Sequence, residues 1–138
     1  MQDDFSQCLV LNTRMAARAV TRRADRQLRP FGVTAAQFTI LTSLRTRPDR
    51  SVTEMAQSIA MDRTTLSRNL DLLERKQLVA AMPADSGNGR LCRLTEQGDA
   101  LLDAMLPVWR KAQAELRATL TDPDFPDIIA TLRRVAQL

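Results

Sequence analysis

The chain has 138 residues, of which 44% are hydrophobic but only 4% aromatic, with no Tyr and no His; it is long enough for one domain with an aliphatic core, or a small domain plus an oligomerisation arm. Without histidine, Ser-His-Asp and Cys-His catalysis and histidine metal sites are excluded, and no glycine-rich phosphate loop offers another enzymatic reading, so neither an enzyme nor a cofactor is expected. The formal charge of +4, carried almost wholly by Arg, agrees with a polyanionic partner.

The N-terminus MQDDFSQ is acidic and no apolar run approaches the roughly 20 residues of a membrane helix, so a cytoplasmic protein without a membrane partner is expected. Two cysteines far apart in sequence, Cys8 and Cys92, form neither a disulfide framework nor a metal motif.

From Phe5 to about Arg29 the spacing predicts one long helix. Phe5, Leu9, Asn12, Ala16, Val20 and Leu28 follow one face, and Cys8, Leu11, Met15 and Ala19 an adjacent one. Together they are wider than a single core requires, which implies packing on the helix's own domain and on a second copy of the chain. Arg14, Arg18, Arg22, Arg23, Arg26 and Arg29 occupy the remainder. Most read as a solvated face, with one or two free to grip a phosphate or a small carboxylate bidentately. Pro30 and Gly32 end this helix. Thr34 and Gln37 then form a capping box, and Phe38, Leu41 and Leu44, with Ile40 beside them, carry a second helix to about Arg45 before a loop at Pro48 and Asp49.

Ser51 to Leu78 (SVTEMAQSIAMDRTTLSRNLDLLERKQL) reads as a helix-turn-helix. Ser51 and Glu54 make a second capping box, and Val52, Met55, Ala56 and Ile59 give the apolar face of a short helix. After Ala60 and Met61, Asp62 suits the N-terminus of the next one, whose buried stripe is Leu66, Leu70 and Leu73. Arg63, Thr64, Thr65, Ser67, Arg68 and Asn69 remain outward. A face chosen only for solubility would favour Lys and Glu; this mixture of donors and acceptors suits base edges and phosphates in a major groove. Ser51 and Thr53 join it as candidate DNA contacts.

Leu78 to Ala84 and Arg90 to Leu94 predict two short strands, with DSGNG at 85–89 as the turn. A hairpin directly after a reading helix is a wing, which would carry Asn88 and Arg90 to the backbone or the minor groove. Thr95 caps a further helix, whose stripe Leu101, Leu102, Met105, Trp109, Ala112, Leu116 and Leu120 is interrupted by Pro107, an expected kink. Asp122 and Pro123 are expected to restart the chain as cap and first helical position, with a final helix from about Asp127 burying Ile128, Leu132 and Val135. The terminal helices offer more apolar surface than so small a head can cover, so a homodimer is expected, facing a pseudo-palindromic duplex whose half-sites lie about one helical turn apart.

The run DRTTLSRNLDLLERKQLV, a short wing and then RLTEQG resembles the MarR (multiple antibiotic resistance regulator) family of winged-helix transcription factors over nearly the whole chain. The resemblance implies a mainly α fold with a small β-hairpin wing: a first helix of a dimerisation arm at 1–30, a winged helix-turn-helix DNA-binding domain at 31–98 with the wing at about 78–94, and C-terminal dimerisation helices at 99–138. It implies that Arg63 through Asn69 face the major groove and that an Asp and an Arg of the wing dock on DNA. Here the wing is short: anchoring on Asp85 puts Gly87 at the arginine position, anchoring on LTEQG puts Asn88 there, and Arg90 is the nearest substitute. The family's usual mechanism implies a dimeric, sequence-specific regulator, a repressor released by a small aromatic or amphipathic anion, with Arg14, Arg18 and Trp109 as candidate crevice residues. Two alternatives stand beside it. One is a thiol-based redox sensor using Cys8, which matches the reactive cysteine of the organic hydroperoxide branch only loosely, lying early and lacking that branch's tyrosines; an ordinary packed cysteine is the competing view, and the preferred one for Cys92. The other is a winged-helix module for protein contact or non-specific DNA binding.

Overall fold

The computed structural model describes residues 2–82 and 91–138, and in it six helices and a two-stranded antiparallel sheet follow in the order α1 to α4, β1, β2, α5, α6. Two compact units divide the chain, Met1–Asp103 and Ala104–Leu138. The predicted turn at 85–89, with Asp85, Gly87, Asn88 and Arg90, lies outside the described residues.

The first helix starts later than periodicity implies. Asp4 accepts a hydrogen bond from the Ser6 N–H and organises a single 3-10 turn at Phe5–Gln7, and α1 (Leu9–Leu28) begins only after Cys8, whose backbone is extended. Asn12 holds that break in place by donating to the Ser6 and Cys8 carbonyls, both at 2.8 Å. At the other end a 3-10 turn, Arg29–Phe31, accommodates Pro30, and Gly32 closes it at φ +74°, a conformation that costs glycine least.

The cap residues named above set the starts of α2 (Ala35–Thr46) and α3 (Val52–Ser58), where the capping boxes Thr34–Gln37 and Ser51–Glu54 are both complete. Asp62 caps α4 (Arg63–Arg75) by accepting from the Thr65 N–H. Between α3 and α4 the chain reverses through Ala60 at φ +53°. Ile40, Leu41 and Leu44 of α2, Met55 of α3 and Leu66, Leu70 and Leu73 of α4 are fully buried, an aliphatic core under the helix-turn-helix.

β1 (Val79–Met82) pairs with β2 (Leu91–Leu94) in the register Val79 to Leu94 and Met82 to Leu91. A bridge from Ser51 to Leu91 and an ion pair from Arg93 to Asp49 at 2.9 Å fasten β2 to the segment preceding α3. Arg45 then secures the start of α5 (Glu96–Thr119), its guanidinium pairing with Asp99 at 2.6 Å and Asp103 at 2.9 Å.

In the second unit α5 continues as helix through Pro107, and the final helix departs from expectation. α6 (Phe125–Val135) begins two residues before Asp127 because Asp124, not Asp122, is its cap: the Asp124 carboxylate accepts from the Asp127 N–H at 3.0 Å, and Pro126 falls in the first turn, where its missing N–H costs nothing. Arg117 lies over the Phe125 ring, 4.6 Å from its centre. Ile128 and Val135 are only half-buried and Leu132 is 51% exposed, so α6 buries no residue in the single chain.

Candidate nucleic-acid interface

α4 is sharply two-sided. Leu66, Leu70 and Leu73 are wholly buried, while Arg63, Thr64, Thr65 and Arg68 are exposed on the opposite side. Neither Arg63 nor Arg68 makes a side-chain hydrogen bond or ion pair among the described residues. Both guanidiniums are therefore available to an outside acceptor.

The other candidates are less free. The Thr65 hydroxyl donates to the Asp62 carboxylate at 2.7 Å, and Ser67 is half-buried. Asn69, expected to point outward, is half-buried with both amide atoms used inside the protein: its Oδ1 accepts from Gln37 Nε2 at 3.3 Å and its Nδ2 donates to the Thr65 carbonyl at 2.9 Å. Ser51 spends its hydroxyl on the Glu54 N–H, and Thr53 is exposed. Asn88 and Arg90 lie outside the described residues.

The electrostatics of the two N-termini follow from their caps. Hydrogen bonds from the Thr65 backbone and hydroxyl hold the Asp62 carboxyl below the usual aspartate range, and those from Ser51, with Arg47 and Arg50 behind them, do the same for Glu54. Both carboxylates thus stay charged at the positive ends of their helices.

Behind this face sits a residue that sequence reasoning did not single out. Arg50 is buried, and its guanidinium donates to the hydroxyls of Ser43 in α2 and Ser58 at the end of α3. Placed by the last turns of two helices, it meets the negative ends of both dipoles and fixes α3 against α2. A lone Arg in a loop carried no periodic signal.

The family model described as MarR family matches residues 33–86. The transcriptional repressor NicR of Pseudomonas putida is 32% identical over 105 residues, 75% of this chain and 66% of NicR, so the chain spans slightly under two thirds of that relative. Among solved structures, the M. tuberculosis transcriptional regulator MosR is 34% identical with a TM-score of 0.87, covering 97% of this chain and 96% of MosR. A mutant of MarR from E. coli complexed with operator DNA is 28% identical with a TM-score of 0.83, covering 97% of this chain and 99% of that one. The chain belongs to the MarR family. Its relatives are transcriptional regulators and not enzymes, and the winged-helix architecture matches theirs.

The remaining candidates of this MarR-family chain fall on the helices at its two ends. Arg14 and Arg18 lie side by side on α1 and, with Leu11, Met15, Ala17 and Thr21, line an open concavity of about 530 Å³. Trp109 is not among these lining residues; it stands on α5 in the second unit, 43% exposed. Cys8 is exposed at the N-cap of α1 without capping it, and Cys92 is buried on β2. Among the described residues no group of His, Cys, Asp and Glu could hold a metal ion, and no helix is long and apolar enough to cross a membrane.

Proposed function

We propose that this MarR-family regulator acts as a homodimeric repressor, setting α4 of each copy into successive major grooves of a pseudo-palindromic duplex. The observation that carries the reading is the pair Arg63 and Arg68: two exposed guanidiniums without a partner among the described residues, on a helix whose reverse side is locked into the core. Arg is the commonest side chain for bidentate contact with guanine, and Thr64 beside them adds a hydroxyl. Ser51 and Thr53, at the start of α3, are the proposed contacts with the DNA backbone, and Asn88 and Arg90, which lie outside the described residues, are the proposed contacts in the minor groove. NicR is named as a repressor and structures of MosR and of a MarR mutant contain DNA; these support the same assignment here.

In this reading α1, the later part of α5 and α6 form the arm that joins two copies. The concavity beside Arg14 and Arg18 is the effector site, since guanidinium next to Leu11 and Met15 suits a small aromatic or amphipathic carboxylate. Such a ligand releases DNA only through its preference for a dimer whose α4 helices no longer fit two grooves.

The decisive experiment is truncation of Arg68. In gel-shift titrations against a duplex selected from random sequence, Arg68→Ala weakens binding by about 1 to 3 kcal/mol if Arg68 reads a base, with binding to scrambled duplex nearly unchanged. Equal weakening on both duplexes, with a smaller salt slope, would make it a phosphate contact. No binding by the wild-type protein at low salt overturns the reading.

A further inference from the structure

Asn69 sits among side chains offered to DNA, yet the structure engages it elsewhere. The hydrogen bonds fix the orientation of both amides. Gln37 Oε1 accepts from the Thr34 N–H at 3.1 Å, which leaves Gln37 Nε2 to face Asn69; Asn69 Nδ2 meets the Thr65 carbonyl at 2.9 Å, which leaves Asn69 Oδ1 to accept from Gln37. One N–H of each amide finds an acceptor, and reversing either amide would set like against like. Gln37 is only 5% exposed, so it is a buried polar group whose partner cannot be lost cheaply.

These bonds belong to a longer chain. The Asp25 carboxylate of α1 accepts from the Ala35 N–H at 2.7 Å, in the first turn of α2. Thr34 and Gln37 close that turn reciprocally, Gln37 reaches Asn69, Asn69 reaches Thr65, and Thr65 gives its N–H and hydroxyl to Asp62 at 2.9 and 2.7 Å. The path runs from α1 through the α2 cap to the N-terminal turn of α4, where Arg63 and Thr64 stand. A bidentate contact from Asn to adenine would need the same two amide atoms that this path already uses.

We infer that Asn69 is a positioning residue: with Gln37 it forms a part-buried polar latch that sets the depth and rotation of the reading helix, and sequence preference depends on the latch without Asn69 touching a base. The inference rests on the DNA-binding reading above. It differs from that reading in placing a determinant of specificity at Gln37, which lies beneath the face and out of reach of DNA.

The test compares wild type, Gln37→Met, Asn69→Ala and the double variant by fluorescence anisotropy, on the duplex that wild type selects from random sequence and on a scrambled duplex at the same salt. The expected result is that each single substitution weakens the selected duplex by about tenfold, leaves the scrambled one within about twofold, and that the double variant is no worse than either single. Gln37→Glu, which keeps an oxygen for the Thr34 cap but denies Asn69 its donor, should show the same loss and stands in for Gln37→Met should that variant not fold. Loss in Asn69→Ala alone, or losses that multiply in the double variant, would overturn the latch and return Asn69 to direct readout; an unchanged preference in every variant would overturn it outright. A wild-type protein that selects no sequence sinks the regulator reading itself, and the latch with it.

Discussion

A β-carbon built on Gly98 would lie 2.0 Å from the Leu78 carbonyl oxygen and 2.9 Å from its carbon, so this position in α5 admits glycine alone. The closeness has a cause in the neighbouring bonds. Thr95 donates its N–H to the Leu78 carbonyl at 3.1 Å and its hydroxyl to the Gln77 carbonyl at 2.6 Å, while that hydroxyl accepts from the Gly98 N–H at 2.9 Å. Gln77 itself is left-handed at φ +61°. Gly98→Ala therefore has to push the start of α5 off the turn that follows α4, at a cost of about 1 to 3 kcal/mol for a backbone clash of this kind, seen as a thermal midpoint lower by several degrees. A midpoint unmoved would show that α5 does not rest there. The motif LTEQG was readable in the sequence, but its reason was not. Propensity speaks against glycine in the first turn of a helix, and only the approach of a segment some twenty residues earlier explains it. Asn69 teaches the same lesson from the other side. Its residue type and its place on α4 suggested an outward amide, and the partner that turned it inward, Gln37, is thirty-two positions away.

At the scale of elements, local chemistry was the most readable layer, because a cap and the N–H it satisfies lie within three residues of each other. Ser51, Thr34 and Asp62 each begin the helix they were expected to begin. The failures were local too, at sites where two cap candidates compete: Asp122 is followed directly by Pro123 and Asp124, two residues on, by Phe125 and Pro126, and periodicity across Phe5 to Arg29 could not reveal that Asn12 would secure a break at Cys8. The caps make α4 sensitive to acid. Because Thr65 hydrogen bonds hold the Asp62 carboxyl below its ordinary range in the folded protein, the group binds protons less readily folded than unfolded. The stabilisation is thus present above the ordinary aspartate range and is lost as pH falls through the lowered value. Comparing thermal midpoints of wild type and Asp62→Ala from neutral pH downward should show a gap that closes in acid. A gap of constant size would mean the cap acts through shape alone.

At the scale of the molecule, the surface of a single chain is unfinished. Leu9, Val10, Leu11, Met15 and Val20 on α1, and Leu120, Ile129 and Leu132 around α6, are all exposed, and no residue of α6 is more than half-buried. An amphipathic helix whose apolar face is only partly covered is far from its free-energy minimum in water. In the two-fold pair proposed above these side chains would be covered in both copies, at roughly 1 kcal/mol or more apiece, enough to offset the ~4 to 15 kcal/mol that association costs in lost freedom. Such a pair would turn one weak reading helix into two on a common axis, since a symmetric pair meets a symmetric operator. The expected mass in sedimentation at micromolar concentration is therefore twice the 15.5 kDa of the chain. Leu132→Glu, at a site 51% exposed in the single chain, places a charge in the contact without disturbing the core under α4. It should halve the mass and abolish tight operator binding, while the weak, salt-dependent affinity of one α4 for any duplex persists. A wild-type protein that sediments as one chain and still binds a palindrome tightly would refute the pairing. So would a Leu132→Glu variant that remains double, because it would put the contact somewhere other than the bare face of α6.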